Sequence, residues 1–207
     1  MLSHPEQDVL SLQAALLEKS IRFGEFTLAS GGKSDVYVDA RLTTCSASCI
    51  ALVGRVFLHR MRARNWAPKA VGGLTMGADP VALAIASESV NFGQPIDAFV
   101  VRKEVKKHGR QRAIEGIEVT EGLAVVIVDD VCTHGESTAM AVESALAASM
   151  KVIGAMCLVD REAGARDLLS SRFRIELESI YTLSALRAHR DELKRGDATV
   201  LTSVTGS

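Results

Sequence analysis

Hydrophobic residues follow two different periods along the chain. In residues 9–17 they recur at helical spacing, and Ser3 and Glu6 are spaced as a capping box before them, which predicts an opening helix. Short apolar runs at 26–28 and 36–38 flank a polar, glycine-containing segment and predict a hairpin. A second helix is predicted to be capped by Thr43 or Thr44 and to run through residues 50–57.

From residue 65 onward the pattern changes to continuous aliphatic runs. Such runs predict strands at 70–74, 96–101, 123–128 and 152–159, and the segments between them predict helices at 80–86 and 137–150. Because Val and Ile fill the runs without alternation, we expect strands covered on both faces, as in a central parallel sheet flanked by helices. A helix at 166–169, a strand at 173–180 and a polar helix at 186–194 are predicted to complete this α/β fold.

Composition and charge narrow the function classes. The 24 Lys and Arg residues face 25 Asp and Glu residues, so the formal net charge is −1 and any anion site must be local. The longest uncharged stretch, residues 42–54, is too short and too polar for a membrane span, and the first residues lack a secretory signal pattern. We therefore expect a cytoplasmic protein with four reduced cysteines and no structural metal.

The strongest candidate for chemistry follows the predicted strand 123–128. Asp129 and Asp130 are followed by a short loop with Thr133, Gly135 and Ser137 that leads into a helix. Ligands of open α/β sheets bind beyond the carboxyl ends of the strands, and the N–H groups of such a loop favour a phosphate. An isolated acid pair is also typical of an ordinary strand-to-helix turn, so the interpretation depends on the whole run 129–137.

A second candidate is the cationic segment 102–112. It carries six Lys and Arg side chains and a histidine against one glutamate. Such a run is most often a solvated face or a weak nucleic-acid patch. Its place after the predicted strand 96–101 puts it at the same sheet edge as Asp129, so we favour a loop that closes over a polyanion as a lid.

The run 129–137 resembles the phosphoribosyl diphosphate (PRPP) signature of the type I phosphoribosyltransferases. The resemblance implies that family's fold, with a parallel sheet, a small N-terminal hood and Mg²⁺ as cofactor, held mainly through PRPP rather than by a protein metal site. The run 129–137 departs from the usual family pattern at His134 and Glu136, and a carboxylate at 136 must face away from the phosphate. The PRPP-binding residues it implies are Asp129, Asp130, Val131, Cys132, Thr133, His134, Gly135, Glu136 and Ser137.

Residues 102–108, running on to 114–116, are similar to the catalytic loop of the orotate-specific members of this family. The resemblance implies a homodimer in which Arg102, Lys106 and His108 reach into the neighbouring subunit's active site, while Lys103 serves its own. In that arrangement Lys106 is catalytic together with Asp129 and Asp130, because its charge stabilises the departing diphosphate. The implied reaction transfers ribose 5-phosphate from PRPP to orotate in de novo pyrimidine biosynthesis.

Three further segments carry the same resemblance. Residues 23–31 with Lys33 and Ser34 resemble the base-binding segment, residues 72–80 the diphosphate-side loop, and residues 160–162 the base-binding strand end. Arg161 is then expected to bind the orotate carboxylate in bidentate fashion. Some members have lysines where this chain has Ala29 and Met76, and Lys33 is a candidate for one of the missing charges.

The sequence also contains features of other protein classes. Residues 32–34 end like a P-loop, but Thr27 stands where its first glycine must be, which excludes that motif. A purine phosphoribosyltransferase would keep the acid pair but have less use for Arg161. A regulatory protein could retain the PRPP loop and bind RNA or DNA, although the net charge of −1 counts against it. Without a long linker, we expect one domain over residues 1–207, with a core of about 41–180 and a hood of about 1–40 plus the C-terminal segment.

Overall fold

The computed structural model describes residues 5–27, 31–103 and 113–204, with side chains as far as residue 195. Over these residues the helices are α1 Pro5–Lys19, α2 Arg41–Thr44, α3 Ile50–Ala63, α4 Ala78–Asn91, α5 Glu136–Ala147, α6 Ala165–Phe173 and α7 Leu183–Val204. The strands are β1 Ile21–Thr27, β2 Lys33–Val38, β3 Ala70–Leu74, β4 Asp97–Val101, β5 Ile114–Glu115, β6 Ala124–Cys132, β7 Lys151–Asp160 and β8 Leu177–Thr182.

A six-stranded sheet forms the centre of the protein, in the order β5-β4-β3-β6-β7-β8. Neighbouring strands are parallel except β5, which runs antiparallel to β4. Strands β1 and β2 form a separate antiparallel hairpin. The predicted α/β fold with a central, mostly parallel sheet flanked by helices is therefore confirmed, and the two-residue strand β5 is an addition that the sequence pattern was too short to indicate.

Both faces of the sheet are covered, as the continuous aliphatic runs predicted. In β6, Val126 and Val128 pack with α1, α3 and α4, whereas Val125 and Ile127 pack under α5 and α6. Phe57 of α3 is fully buried on the first side and Phe99 of β4 is almost fully buried on the second. Burial on both faces fixes the strand ends at one edge and so positions the loops that follow them.

The second predicted helix is two helices, so its predicted start was wrong. Thr43 and Thr44 lie inside the four-residue α2 and are fully buried, and Thr43 shares a 2.7 Å hydrogen bond with Ser20. Helix α3 begins at Ile50 after Cys49, which makes no side-chain cap. The threonines match the cap composition, but the Thr43 hydroxyl bonds Ser20 just after α1 and the Thr44 hydroxyl is buried without a hydrogen-bond partner in the structure.

The C-terminal boundaries also differ from the prediction. Phe173 is the last residue of α6 rather than the start of a strand, and β8 begins only at Leu177. The chain leaves α6 through Arg174 in the left-handed conformation, with φ of 57°, which turns the backbone before the strand. Helix α4 begins at Ala78 instead of Pro80, with the proline in its first turn, and α7 extends beyond the predicted 186–194. The predicted capping residue Ser3 lies outside the described residues.

None of the described helices is both long and apolar enough to cross a bilayer.

Candidate functional site

A cavity of about 440 Å³ opens at the carboxyl ends of β3, β4 and β6. Four parts of the chain meet there. They are the segment after β2, the loop after β3, Lys103 after β4, and the end of β6 with the first turn of α5. The lining residues are Val38, Asp39, Ala40, Arg41, Leu74, Thr75, Met76, Gly77, Lys103, Asp129, Asp130, Val131 and Ser137. The predicted acid pair and the first part of the predicted cationic segment thus face one space.

The acid pair lies within β6 rather than in a loop after it, which corrects the predicted strand end at 128. Strand β6 continues to Cys132 because it stays paired with β7, where Asp129 is opposite Cys157. Asp129 is only 5% exposed. Its Oδ2 accepts a hydrogen bond of 3.0 Å from the Thr138 hydroxyl, and its Oδ1 accepts one of 3.0 Å from the backbone N–H of Asp130.

Burial controls the charge state of this pair. It raises the pKa of Asp129 to about 7, repulsion from Asp130 adds to the rise, and the hydrogen bond from Thr138 opposes it. Burial also raises the pKa of Asp130, against the hydrogen bond from the Val131 N–H and the positive charge of Arg41. The free protein therefore holds the Asp129 carboxyl group near the point where it exchanges its proton at neutral pH, and the raised pKa of Asp130 makes both groups sensitive to hydroxyl or cationic partners.

The loop after β3 packs directly onto the acid pair. Gly77 approaches so closely that a Cβ there would lie 2.5 Å from Asp130 Oδ1 and 3.1 Å from Asp129 Oδ1. Thr75 donates a 2.7 Å hydrogen bond to Asp79 Oδ2, whereas Asp79 Oδ1 is buried without a partner in the structure. Met76, at the position where some members have a lysine, is 65% exposed and lines the cavity. The loop thus offers backbone groups rather than a charge.

The predicted phosphate loop, residues 132–137, is held from behind by the β7–α6 connection. Gly135 has a φ of 90°, and a Cβ there would lie 3.0 Å from the Ala165 Cα. The Nδ1 atom of His134 lies 2.9 Å from the carbonyl oxygen of Ala163, so this histidine anchors the loop, a role that the sequence left open. Helix α5 begins at the exposed Glu136, and Ser137 rather than Glu136 is among the residues that line the cavity.

The predicted cations are placed differently from one another. Lys103 is exposed and lines the cavity, whereas Arg102 donates a 2.9 Å hydrogen bond to Glu115 Oε1 on β5. Lys106 and His108 fall in residues 104–112, outside the part of the chain that the structure describes. Lys33 is exposed at the start of β2, and Ala29 is also outside the described residues.

Arg161 follows β7 at the same edge of the sheet. Its backbone N–H donates a 2.8 Å hydrogen bond to the Cys132 carbonyl, and its side chain is half-buried. Its charge helps to lower the pKa of Asp35 on the hairpin, an effect due mainly to the hydrogen bond between Asp35 and Arg187. Asp160, by contrast, is buried and accepts a 2.8 Å hydrogen bond from Arg166 Nε. Arg161 is thus near enough to the hairpin for its charge to act on Asp35, although it is not among the residues that line the cavity, and Asp160 supports α6.

Sequence reasoning missed Arg41, a cation that lines the cavity. Its Nε and Nη2 atoms donate hydrogen bonds of 2.8 and 3.1 Å to the two carboxylate oxygens of Asp39. This fork holds the guanidinium beside the acid pair, where its charge acts on Asp130. The segment 39–41 has no distinguishing motif, and only the packing of the hairpin against β6 brings it to the site. Thr138 was also missed, because only the packing of α5 against β6 brings its hydroxyl to Asp129.

The chain matches known proteins along most of its length. Residues 48–181 match the model of the phosphoribosyl transferase domain. Over 160 residues the chain is 44% identical to the orotate phosphoribosyltransferase of Corynebacterium glutamicum (strain R), which covers 77% of this chain and 84% of that protein. It is 45% identical over 152 residues to the orotate phosphoribosyltransferase of Mycobacterium bovis (strain BCG / Pasteur 1173P2), covering 73% of this chain and 82% of the relative.

Solved structures agree with these relatives. The orotate phosphoribosyltransferase of Mycobacterium tuberculosis H37Rv in complex with Fe(III) dicitrate superimposes with a TM-score of 0.75 at 41% identity, covering 86% of this chain and 98% of that one. The same enzyme in complex with PRPP gives a TM-score of 0.70 at 33% identity, covering 89% and 93%. By sequence and architecture, this chain belongs to the phosphoribosyltransferase family.

Proposed function

We propose that this chain transfers the ribose 5-phosphate group of PRPP to orotate, which forms orotidine 5′-monophosphate and releases diphosphate, in de novo pyrimidine biosynthesis. The observation that carries the proposal is the shared cavity, in which Asp129 and Asp130 face Lys103 and Arg41. Relatives at 44–45% identity are named orotate phosphoribosyltransferase, which supports the choice of base.

The three parts of PRPP fit three parts of the site. The loop 132–137 and the start of α5 present N–H groups and the Ser137 hydroxyl to the 5′-phosphate. Asp129 and Asp130 at the end of β6 orient the ribose hydroxyls. The loop 74–77 and the cations Arg41 and Lys103 line the remaining side of the cavity and receive the diphosphate.

The chemistry is a displacement at the anomeric carbon of the ribose. The bond to diphosphate breaks early, so positive charge develops on the ribose ring and negative charge on the leaving group. The carboxylates of β6 stabilise the first charge, and Lys103 together with Lys106 stabilises the second. Arg102 and His108 complete the set of side chains assigned to PRPP, with Lys106, Arg102 and His108 acting from the neighbouring subunit of a homodimer. Exclusion of water strengthens each of these interactions.

We propose that Mg²⁺ is held mainly through PRPP rather than by side chains of this chain. Over the described residues there is no cluster of three or more histidine, cysteine, aspartate or glutamate side chains able to hold a metal ion. Mg²⁺ usually keeps substrate phosphates and water among its ligands, so we propose that it enters with PRPP. Bound in this way, the ion neutralises part of the diphosphate charge, and no residue of this chain is assigned to it.

The base is proposed to lie between Arg161 and the hairpin. Arg161 binds the orotate carboxylate, and the hairpin segment ending at Lys33 covers the ring. The positive charge of Arg161 contributes to lowering the pKa of Asp35, which supports a place for Arg161 near the hairpin. Residues 1–207 then act as one catalytic domain with the hairpin as its hood. The free thiols of Cys45, Cys49, Cys132 and Cys157 are consistent with the reducing cytoplasm.

A base panel tests the function. Purified protein is mixed with Mg²⁺, PRPP and either orotate, uracil, adenine, hypoxanthine or guanine, and diphosphate release is followed with loss of base absorbance. We expect turnover with orotate that exceeds every other base by at least about 100-fold, because a site built for a carboxylate rejects bases that lack one. Turnover with a purine would replace orotate in the proposal, and the absence of diphosphate release with all five bases would contradict it.

A further inference from the structure

Two buried polar side chains connect to Asp129 of the acid pair from the core side. Cys132 and Thr138 are each 1% exposed, and both pack in the core between β6 and α5. The Thr138 Oγ1 atom lies 3.0 Å from Asp129 Oδ2 and 3.2 Å from the Cys132 Sγ atom. Cys132, Thr138 and Asp129 thus form a continuous connection, named here the thiol relay.

The direction of the relay follows from its protons. When Asp129 is ionised its carboxylate only accepts hydrogen bonds, and a threonine hydroxyl carries a single proton, so Thr138 is the donor to Asp129 in that state. In that state the Thr138 oxygen can only accept from the thiol, so the Cys132 S–H group is the donor to Thr138, and the neighbouring Cys157 thiol, which is also hydrogen-bonded to Cys132, donates to the Cys132 sulfur. Cys132 therefore fixes the hydroxyl orientation of Thr138, and Thr138 in turn fixes the Oδ2 atom of Asp129.

Few other groups can set the orientation of this carboxylate. Among the described residues, the other hydrogen-bond contacts of Asp129 are both with Asp130: the backbone N–H of Asp130 holds Oδ1, and the two carboxyl side chains are hydrogen-bonded to each other. Thr138 reaches it from the first turns of α5, nine residues along the chain, so the contact joins the predicted phosphate loop to the acid pair. A side chain with both oxygens held is oriented before any ligand arrives.

We propose that Cys132 and Thr138 are positioning residues, which hold the Asp129 carboxylate in the orientation that receives the ribose hydroxyls of PRPP. The proposal rests on the proposed function for the identity of the ligand. The relay itself is a property of the free protein and can be tested without substrate. It gives Cys132 a purpose beyond filling space.

The surrounding charges make the relay measurable. The charge of the adjacent Asp130 acts on Asp129. Cys157 lies opposite Asp129 on β7, and Asp160 lies near Cys157. Arg41 and Lys103 lie across the cavity. Against burial and the charge of Asp130, both of which raise the pKa of Asp129, Thr138 lowers it. Loss of the relay must therefore raise that pKa further.

Direct titration of the carboxyl group tests the relay. The ¹³C resonance of the Asp129 carboxyl group, assigned with Asp129→Asn, is followed against pH in the ligand-free protein, the Thr138→Val variant and the Thr138→Ser variant. We expect valine, which matches threonine in shape but has no hydroxyl, to raise the pKa by about one unit, and serine to restore it to within a few tenths. The acidic limb of kcat/KM for PRPP should move to higher pH by the same amount in Thr138→Val only.

Variants of Cys132 provide the second arm and replace the first if Thr138→Val does not fold. Cys132→Ala should raise the Asp129 pKa by a smaller amount, whereas Cys132→Ser, which retains a donor, should leave it unchanged. Unshifted Asp129 titration in a folded Thr138→Val or Cys132→Ala protein overturns the relay. Absence of PRPP turnover by the wild-type protein would instead overturn the proposed function. The titration of the Asp129 carboxyl group would still decide whether the relay exists.

Discussion

Gly77 and Asp130 are in such close contact that no side chain fits between them: a Cβ on Gly77 would lie 2.5 Å from Asp130 Oδ1. That oxygen also accepts a 2.8 Å hydrogen bond from the Val131 N–H. The backbone of Gly77 is helical, with φ of −60° and ψ of −44°, so alanine is allowed there by its torsion angles. The contact, and not backbone freedom, therefore requires the glycine.

The variant Gly77→Ala should separate function from stability. The added methyl group pushes the Asp130 carboxylate from its position, and we expect kcat/KM for PRPP to fall roughly 10²-fold. The free energy of unfolding should stay the same or rise by about 0.5 kcal/mol, because alanine reduces the entropy of the unfolded chain. Steady-state kinetics and urea denaturation measure the two effects, and unchanged kinetics would show that the loop does not constrain the acid pair.

Asp129 should make the free protein less stable as the pH rises. Its pKa is about 7 in the folded state and near 3.8 when exposed, so the folded state holds a proton that the unfolded state has lost between these values. The stabilising contribution is complete below the unfolded pKa and is lost as the pH rises to about 7. Urea denaturation at pH 5 to about pH 8 should show falling stability, at up to roughly 1.4 kcal/mol per pH unit. Asp129→Asn should remove most of this slope, and an equal slope in both proteins would contradict the assignment.

Arg161→Ala should affect the base far more than PRPP. Loss of a bidentate partner for the carboxylate is expected to raise KM for orotate by at least about 10-fold, with a much smaller change for PRPP. Lys69→Ala provides the control, because Lys69 is exposed before β3 at the opposite end of the strand. Equal changes in both KM values would remove Arg161 from the base site.

The ion pair between Asp35 and Arg187 connects the hairpin to α7. The Nη1 and Nη2 atoms of Arg187 donate hydrogen bonds of 2.6 and 2.7 Å to the Asp35 carboxylate. The guanidinium of Arg190 lies 3.9 Å from the centre of the Phe23 ring. We expect Arg187→Met to raise KM for orotate several-fold by loosening the hairpin, with little change in Tm, because exposed pairs contribute little stability.

Arg172→Met is the matched control for this pair, because Arg172 pairs with Glu143 between α6 and α5 and not with the hairpin. Kinetics that respond equally to both substitutions, or to neither, would show that the hairpin does not depend on α7.

Mixed dimers test the sharing of the site. Lys106→Ala should lower kcat by about 10²–10³, the usual cost of one contact to developing charge. Asp130→Asn should be similarly impaired. If the two residues serve one site from different subunits, mixtures of the two inactive proteins should regain up to about a quarter of wild-type activity, since one of the two sites in each mixed dimer is intact. Mixtures as inactive as the separate variants would contradict a shared site.

The sequence was informative where the pattern is local and repeated. The apolar runs 70–74 and 152–159 correspond to β3 and β7 because burial on both faces selects apolar or small residues at successive positions instead of an alternating pattern. The acid pair was found because it follows such a run. The strand that carries the acid pair continues to Cys132 because it stays paired with β7. The sequence pattern did not predict this extension, since two charged residues interrupt the aliphatic run.

Contacts between distant segments were beyond reach. Arg41, Thr138 and the pairing of His134 with Ala163 depend on how the hairpin, α5 and α6 pack, and no spacing in the sequence encodes those distances. Thr43 and Thr44 show the opposite error, since a composition typical of caps was used for burial. Local composition therefore located the edge of the sheet that carries the site together with Asp129, Asp130 and Lys103, and tertiary packing added Arg41 and the hydrogen bonds that hold the site.

The most direct test of the shared cavity is calorimetric titration of PRPP with Mg²⁺ into the wild-type protein, Asp130→Asn and Glu136→Gln. The account predicts that PRPP binds the wild type, that Asp130→Asn weakens binding at least about 10-fold, and that the exposed Glu136, outside the cavity lining, is indifferent to substitution. Wild-type protein that does not bind PRPP, or Asp130→Asn that binds it as tightly as the wild type, would contradict it.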